Sequence, residues 1–161
     1  MQADFGGRIN ANNTTINSTG FGAFAQGAGT ALDTIIRLNN VDIISSFTGI
    51  GSYNLGGTVL VEQSTINASS GVQAAGGGFV TVNNSTINTS GIQGIGLHAS
   101  QVWPSAPPVA SIINGTNVNI NTIGASAHGA YAYNGAFINL IRPILKLLGK
   151  ALMVYMQKAW H

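Results

Sequence analysis

The sequence predicts an all-β fold: a right-handed parallel β-helix, or β-solenoid, of about five to six rungs with a short C-terminal helix. Three observations predict it. One phrase returns along the chain, as VEQSTINASSG from Val61 and again as VNNSTINTSG from Val82. A fixed-period echo of this kind is what stacked repeat units leave in a sequence. Apolar residues alternate with polar ones around each return. Finally, Gly is 22 of 161 residues and charged residues are 6% of the chain, a composition suited to short strands and tight corners and poor for helices.

Taking the Ile of each STIN-like phrase as zero, the units are anchored at Ile16, Ile43, Ile66, Ile87 and Ile120, at spacings of 27, 23, 21 and 33 residues. Seven residues before each zero stand Ile9, Ile36, Val59, Val80 and Ile113. Five before stand Ala11, Leu38, Val61, Val82 and Gly115, and between them Asn10, Arg37, Leu60, Thr81 and Asn114. Apolar, largely polar, apolar at period two is a strand with one buried face, recurring once per unit. After each zero comes a run of Asn, Ser, Thr and Gly, and in three units a second phrase: GAFA from Gly22, GLHA from Gly96 and GAYA from Gly129. Each unit thus holds two or three short strands joined by Asn- and Gly-rich corners, where left-handed backbone values are tolerated.

A unit of this size has no partner sheet of its own. Stacking solves the problem by pairing equivalent strands in parallel about 4.8 Å apart, with Ile and Val columns inside and Asn or Thr columns at the corners. An antiparallel sandwich would instead show hairpin turns flanked by alternating strands, not one phrase returning in one order.

The repeat text occupies residues 1–141. Residues 142–161, RPILKLLGKALMVYMQKAWH, depart from it: all three Lys of the chain are here with Arg142, and no acid follows Glu62. The formal net charge of +2 therefore belongs to this tail; without it two Arg and four acids give −2. Ile144, Leu147, Leu148, Ala151, Tyr155 and Ala159 are spaced to share a face, which predicts a basic amphipathic helix able to cap the solenoid or lie on a membrane surface. A second reading makes the tail a frame-shifted rung. Joining the last base of each codon to the first two of the next forces Gly from Met153-Val154 and Ala from both Met156-Gln157 and Trp160-His161, where the repeat places Gly and Ala. That reading sets position 145 at the next repeat Ile, seven and five residues after Ile138 and Leu140.

The sequence begins at a rung, without a basic and apolar leader, and has no 18-residue apolar run. It contains no Cys, so neither disulfides nor thiolate metal sites are available.

Carboxylates decide whether such a solenoid is an enzyme, since polysaccharide-cleaving β-helices need them clustered, to hold Ca²⁺ or to pair as acid and base. The only acids are Asp4, Asp33, Asp42 and Glu62, which fall at different offsets from zero. His98 occupies the slot of Phe24 and Tyr131 in GLHA, GAFA and GAYA, His128 lies three residues before that slot, and His161 is in the tail, so no ligand or triad spacing arises. The expectation is a protein without enzymatic activity, cofactor or metal. Gly76-Gly77-Gly78 and GIGSYNLGG lack the Lys and Ser or Thr of a phosphate loop, and two basic residues outside the tail give no footprint for nucleic acid. Ice binding would need regular Thr-x-Thr on successive rungs; the outward phrase has one Thr, and Asp42 and Asn119 interrupt its column.

One segment invites a partner. SQVWPSAPP, from Ser100, inserts three prolines and a Trp into the longest unit. Insertions in a solenoid emerge as loops, so Trp103, Pro104, Pro107 and Pro108 form either a partner-contact loop or a loop whose Trp folds back on the rod.

With GGTVLVEQSTINASSG, TVNNSTINTSG and SAHGAYAYNGAFINL, residues 6–140 resemble the passenger region of Gram-negative autotransporters, the pertactin-like adhesins. The resemblance implies a β-helix exported through an outer-membrane translocator barrel and displayed on the cell surface, where it serves as stalk or adhesin toward a host-cell or extracellular-matrix receptor. Neither a signal peptide nor a barrel nor an RGD-like motif is present, so the chain is expected to be a passenger fragment. No small-molecule substrate is implied.

Overall fold

The computed structural model describes residues 1–29, 33–101 and 109–147. These residues form a parallel β-solenoid of 14 strands: β1 (Gln2–Asp4), β2 (Arg8–Ser18), β3 (Ala23–Gln26), β4 (Thr34–Tyr53), β5 (Gly57–Glu62), β6 (Thr65–Ala75), β7 (Phe79–Asn83), β8 (Thr86–Thr89), β9 (Ile95–Ser100), β10 (Ile112–Thr116), β11 (Asn119–Thr122), β12 (His128–Tyr133), β13 (Phe137–Ile141) and β14 (Ile144–Leu147). Every pairing is parallel; β2 and β6 each bend through a corner to serve two faces, and the longest strand, β4, bends through two corners to serve all three.

Three faces result. The first stacks the start of β2, the start of β4, then β5, β7, β10 and β13. On the second, the end of β2 is followed by the middle of β4, the start of β6, β8, β11 and β14. The third runs β1, β3, the end of β4, the end of β6, β9 and β12.

The register is the one the spacing implies. Ile9, Ile36, Val59, Val80, Ile113 and Ile138 are successive partners on the first face, and Ile16, Ile43, Ile66, Ile87, Ile120 and Leu145 on the second. Their side chains point inward. Ile36, Val59, Val80, Ile113, Ile43, Ile66, Ile87 and Ile120 have no measurable exposure, and Ala23, Ile50, Val72 and Leu97 close the core from the third face. Burying side chains of this size contributes about 1.5–3 kcal/mol each, the main favourable term in a chain with so few charges.

Between the first and second faces a single residue turns the chain. Asn13, Asn40, Gln63, Asn84, Asn117 and Arg142 sit there with φ of 50°, 52°, 48°, 48°, 53° and 51°. Asn is tolerated in this left-handed region because its short amide bonds locally. The amides also bond between turns: Asn40 Nδ2 donates to Asn13 Oδ1 at 2.8 Å, and Asn117 Nδ2 to Asn84 Oδ1 at 2.9 Å. Beside this corner, Ser64 Oγ accepts from the Val41 amide and Ser85 Oγ from the Ser64 amide, each at 3.0 Å, which satisfies donors that the corner takes out of the ladder. Asn84→Ala is therefore expected to cost about 1–2 kcal/mol and Asn84→Gly less, because Gly keeps the backbone value while losing the amide bonds. Urea midpoints of the two variants measure the difference.

The expected helix does not begin at residue 142. Ile144–Leu147 is β14, with Leu145 opposite Ile120, the same register the shifted-frame reading gives position 145. The apolar face read at helical spacing loses to a strand edge, since β11 offers a parallel partner and Leu145 packs against the core. Among the described residues there is no helix, and the rest of the predicted tail, residues 148–161, lies outside them.

Candidate functional site

The outward positions of the three faces differ in chemistry. On the second face, Asn88 Nδ2 donates to Asn67 Oδ1 and Asn121 Nδ2 to Asn88 Oδ1, both at 2.7 Å, a ladder in which each amide answers the next. The Thr column two residues before it reads Thr15, Asp42, Thr65, Thr86, Asn119 and Ile144 in register. On the first face, Asn10, Asn12, Arg37, Asn39, Leu60, Glu62, Thr81 and Asn83 border a shallow concavity of about 460 Å³.

The carboxylates are dispersed. Asp4 accepts from Gln2 Nε2 on the third face, at 3.0 and 2.9 Å. Glu62 accepts from Asn84 Nδ2 at 2.6 Å on the first, Asp42 stands exposed on the second, and Asp33 precedes β4. Among the described residues no three of His, Asp and Glu come together.

The third face gathers rings. Its outward column reads Phe24, Gly51, Gln73, His98 and Tyr131, and the next outward column reads Gln26, Tyr53, Ala75, Ser100 and Tyr133. In the first turns Phe21 stacks on Phe24 at 4.8 Å between ring centres, with Phe47 at 5.3 Å and Tyr53 at 5.9 Å from Phe21. Farther along, His98 lies 5.7 Å from both Tyr131 and Tyr133, and His128 stacks on Tyr131 at 5.8 Å. Phe47 is 53% exposed, whereas most of the other rings are half-buried. Aromatic pairs at such spacings add about 0.5–1.5 kcal/mol beyond the area they bury.

His98 thus fills the slot of Phe24 and Tyr131, as the phrases GLHA, GAFA and GAYA imply. Among the described residues its Nε2 and the Nδ1 of His128 are buried without a hydrogen-bond partner. Burial lowers the His98 pKa below 6.5, because the protonated ring would lose its hydration. The folded state therefore holds fewer protons than the unfolded chain below about pH 6.5, and stability falls as pH drops through that window. No acid follows Glu62 in the sequence to compensate the charge. The urea midpoint at pH 5 is expected below that at pH 7.5, and His98→Phe is expected to reduce the difference. Tyr53 is shifted upward by burial, against the opposing effect of its hydrogen bond to Gln73.

Trp103, Pro104, Pro107 and Pro108, the predicted contact loop, lie outside the described residues. The loop's base is placed at the corner between the third and first faces: Ser111 Oγ donates to Ser100 O at 2.7 Å and accepts from the Gly77 amide at 3.0 Å. Sequence reasoning missed the ring stripe as a whole. Its slots carried Phe, His and Tyr in the three short phrases, yet Phe21, Phe47, Tyr53 and Tyr133 lie outside the shared motif: Tyr53 and Tyr133 join through strand register, Phe21 and Phe47 through ring contacts. No family model, curated protein or solved structure matches this chain.

Proposed function

We propose that this chain is a non-enzymatic surface module of the autotransporter-passenger type, a rod serving as stalk or adhesin whose ringed third face makes the contact. The observation that carries the reading is the contrast between faces. The first two present amides and hydroxyls, many already bonded to one another, interspersed with single apolar side chains such as Phe79 and Phe137 on the first and Ile44 on the second, while the third brings Phe21, Phe24, Phe47, Tyr53, Tyr131 and Tyr133 into ring-to-ring contact. Tyr and Phe supply large, stiff contact area at low entropic cost, and Tyr adds a polar tip. The dispersed carboxylates favour this reading over a polysaccharide-cleaving one, and the interrupted Thr column favours it over ice binding.

The partner in this reading is a host-cell or extracellular-matrix receptor, reached after the parent protein's translocator barrel has delivered the rod to the cell surface. The test immobilises the chain and measures binding of cultured epithelial cells and of purified matrix proteins. Binding is expected, and the pair Phe24→Ala and Tyr131→Ala should weaken it about tenfold or more while the rod stays folded by circular dichroism. Unchanged binding by the folded pair would reject the third face as the contact. Release of unsaturated sugars from polygalacturonate by the chain would instead establish the enzyme.

A further inference from the structure

The sequence contains two Asn-Gly pairs, Asn114-Gly115 and Asn134-Gly135, and the fold treats them oppositely. Asn-Gly is the dipeptide most open to intramolecular deamidation, because glycine leaves the following backbone nitrogen unhindered. Asn114 and Gly115 lie within β10, paired on one side with β7 and on the other with β13. A strand paired on both sides commits its amide groups to the ladder. Gly115 is buried, and the Asn114 side chain is engaged as well, its Oδ1 accepting from Asn139 Nδ2 at 2.9 Å. Reaction there requires the ladder on both sides to open.

Asn134 and Gly135 form the exposed turn between β12 and β13. Their φ values are 54° and 75°, and the turn is closed by the Ala136 amide bonding to Tyr133 O at 3.2 Å. Two positive φ values in a two-residue turn are the type I′ signature that favours Asn-Gly. Among the described residues the Gly135 amide makes no backbone hydrogen bond, and Asn134 Nδ2 reaches only Gln101 O, at 3.4 Å. Only one turn must open for the reaction geometry to form, and such turns open at far lower cost than paired core strands.

We infer that Asn134 is a site of spontaneous modification, converting to an aspartyl or isoaspartyl residue while Asn114 is protected by the fold. The Gly135 amide gives its proton to solvent base and its nitrogen attacks Asn134 Cγ. A new C–N bond forms, Nδ2 leaves as ammonia after taking a proton, and a five-membered imide remains. Water then opens the imide at either carbonyl, giving the aspartyl or the isoaspartyl linkage, with no change in oxidation state. The modification places a negative charge beside Tyr133, at the edge of the ringed face and in the part of the sequence beyond Glu62 that has no acid of its own. The isoaspartyl product also inserts a methylene into the turn.

The experiment incubates the whole chain at mildly alkaline pH and 37 °C and maps peptides by mass spectrometry, with a parallel sample in concentrated urea. The folded chain is expected to gain the one-dalton increment at position 134 about tenfold faster or more than at position 114, with isoaspartate at position 134 detected by a methyltransferase specific for it. In urea the two positions should react at similar rates, and Gly135→Ala should slow position 134 in the folded chain. Equal rates in the folded chain, or a position 134 that stays intact while urea exposes both, would overturn the assignment.

Discussion

Ile87→Ala is expected to cost about 2–5 kcal/mol, among the largest effects of any single truncation in the chain. Ile87 has no exposure, and its column neighbours Ile66 and Ile120 are equally buried one turn to either side. The hole is bounded by ladders that cannot close over it, because moving a strand inward would break its hydrogen bonds to two neighbours. Each turn of a solenoid is held only by adjacent turns, so the loss weakens both interfaces of the fourth turn. Urea unfolding followed by circular dichroism measures the cost. Ile44→Ala serves as the contrast: Ile44 follows the anchor Ile43, points outward and is 50% exposed, so a change within about 0.5 kcal/mol is expected. Equal costs at the two positions would mean that the inner column does not carry the stability.

Gly71→Ala is the second large effect, about 1–3 kcal/mol from a single added methyl. Gly22, Gly49, Gly71, Gly96 and Gly129 form a column at the corner leading into the third face. A Cβ on Gly71 would run into Gly96 O and Ile87 Cγ2, and one on Gly49 would meet Gly71 O at 2.9 Å as well as Ile66 Cγ2. The glycine lets the anchor Ile of the next turn lie directly against the backbone, so conformational freedom is not the issue here. Because the methyl and the Ile87 side chain compete for one space, Gly71→Ala with Ile87→Ala should cost less than the sum of the two alone. Strict additivity would show that the close approach is not what excludes a side chain.

These two positions also show which features were readable. From seven residues before the anchor Ile to the anchor itself, each unit spends the same number of residues in the same order, with one left-handed corner between. Strand alternation and Asn chemistry are local, so Ile9 to Ile138 and Ile16 to Ile120 could be aligned by counting, and the counts match the register. The glycines of GAFA, GLHA and GAYA could be seen as letters, but the reason for them could not, because the atoms they avoid lie on the next turn, more than a dozen residues away.

The tail shows the opposite limit. Ile144, Leu147 and Leu148 read equally well at helical spacing, and propensity had no means of weighing the free edge of β11, which claims Ile144–Leu147 as a strand. The ringed face was hidden for a related reason. Unit lengths differ at the corners on either side of the third face, so Phe24, Gln73, His98 and Tyr131 stand at uneven separations and cannot be counted into one column. The sequence by itself determined the repeat, the inner columns and the Asn corner, because each depends on period two and on one residue's backbone preference. Only the tertiary structure decided which side carries the rings, why the corner glycines admit no side chain and where the strands stop, since those depend on contacts between turns whose spacing along the chain is not constant.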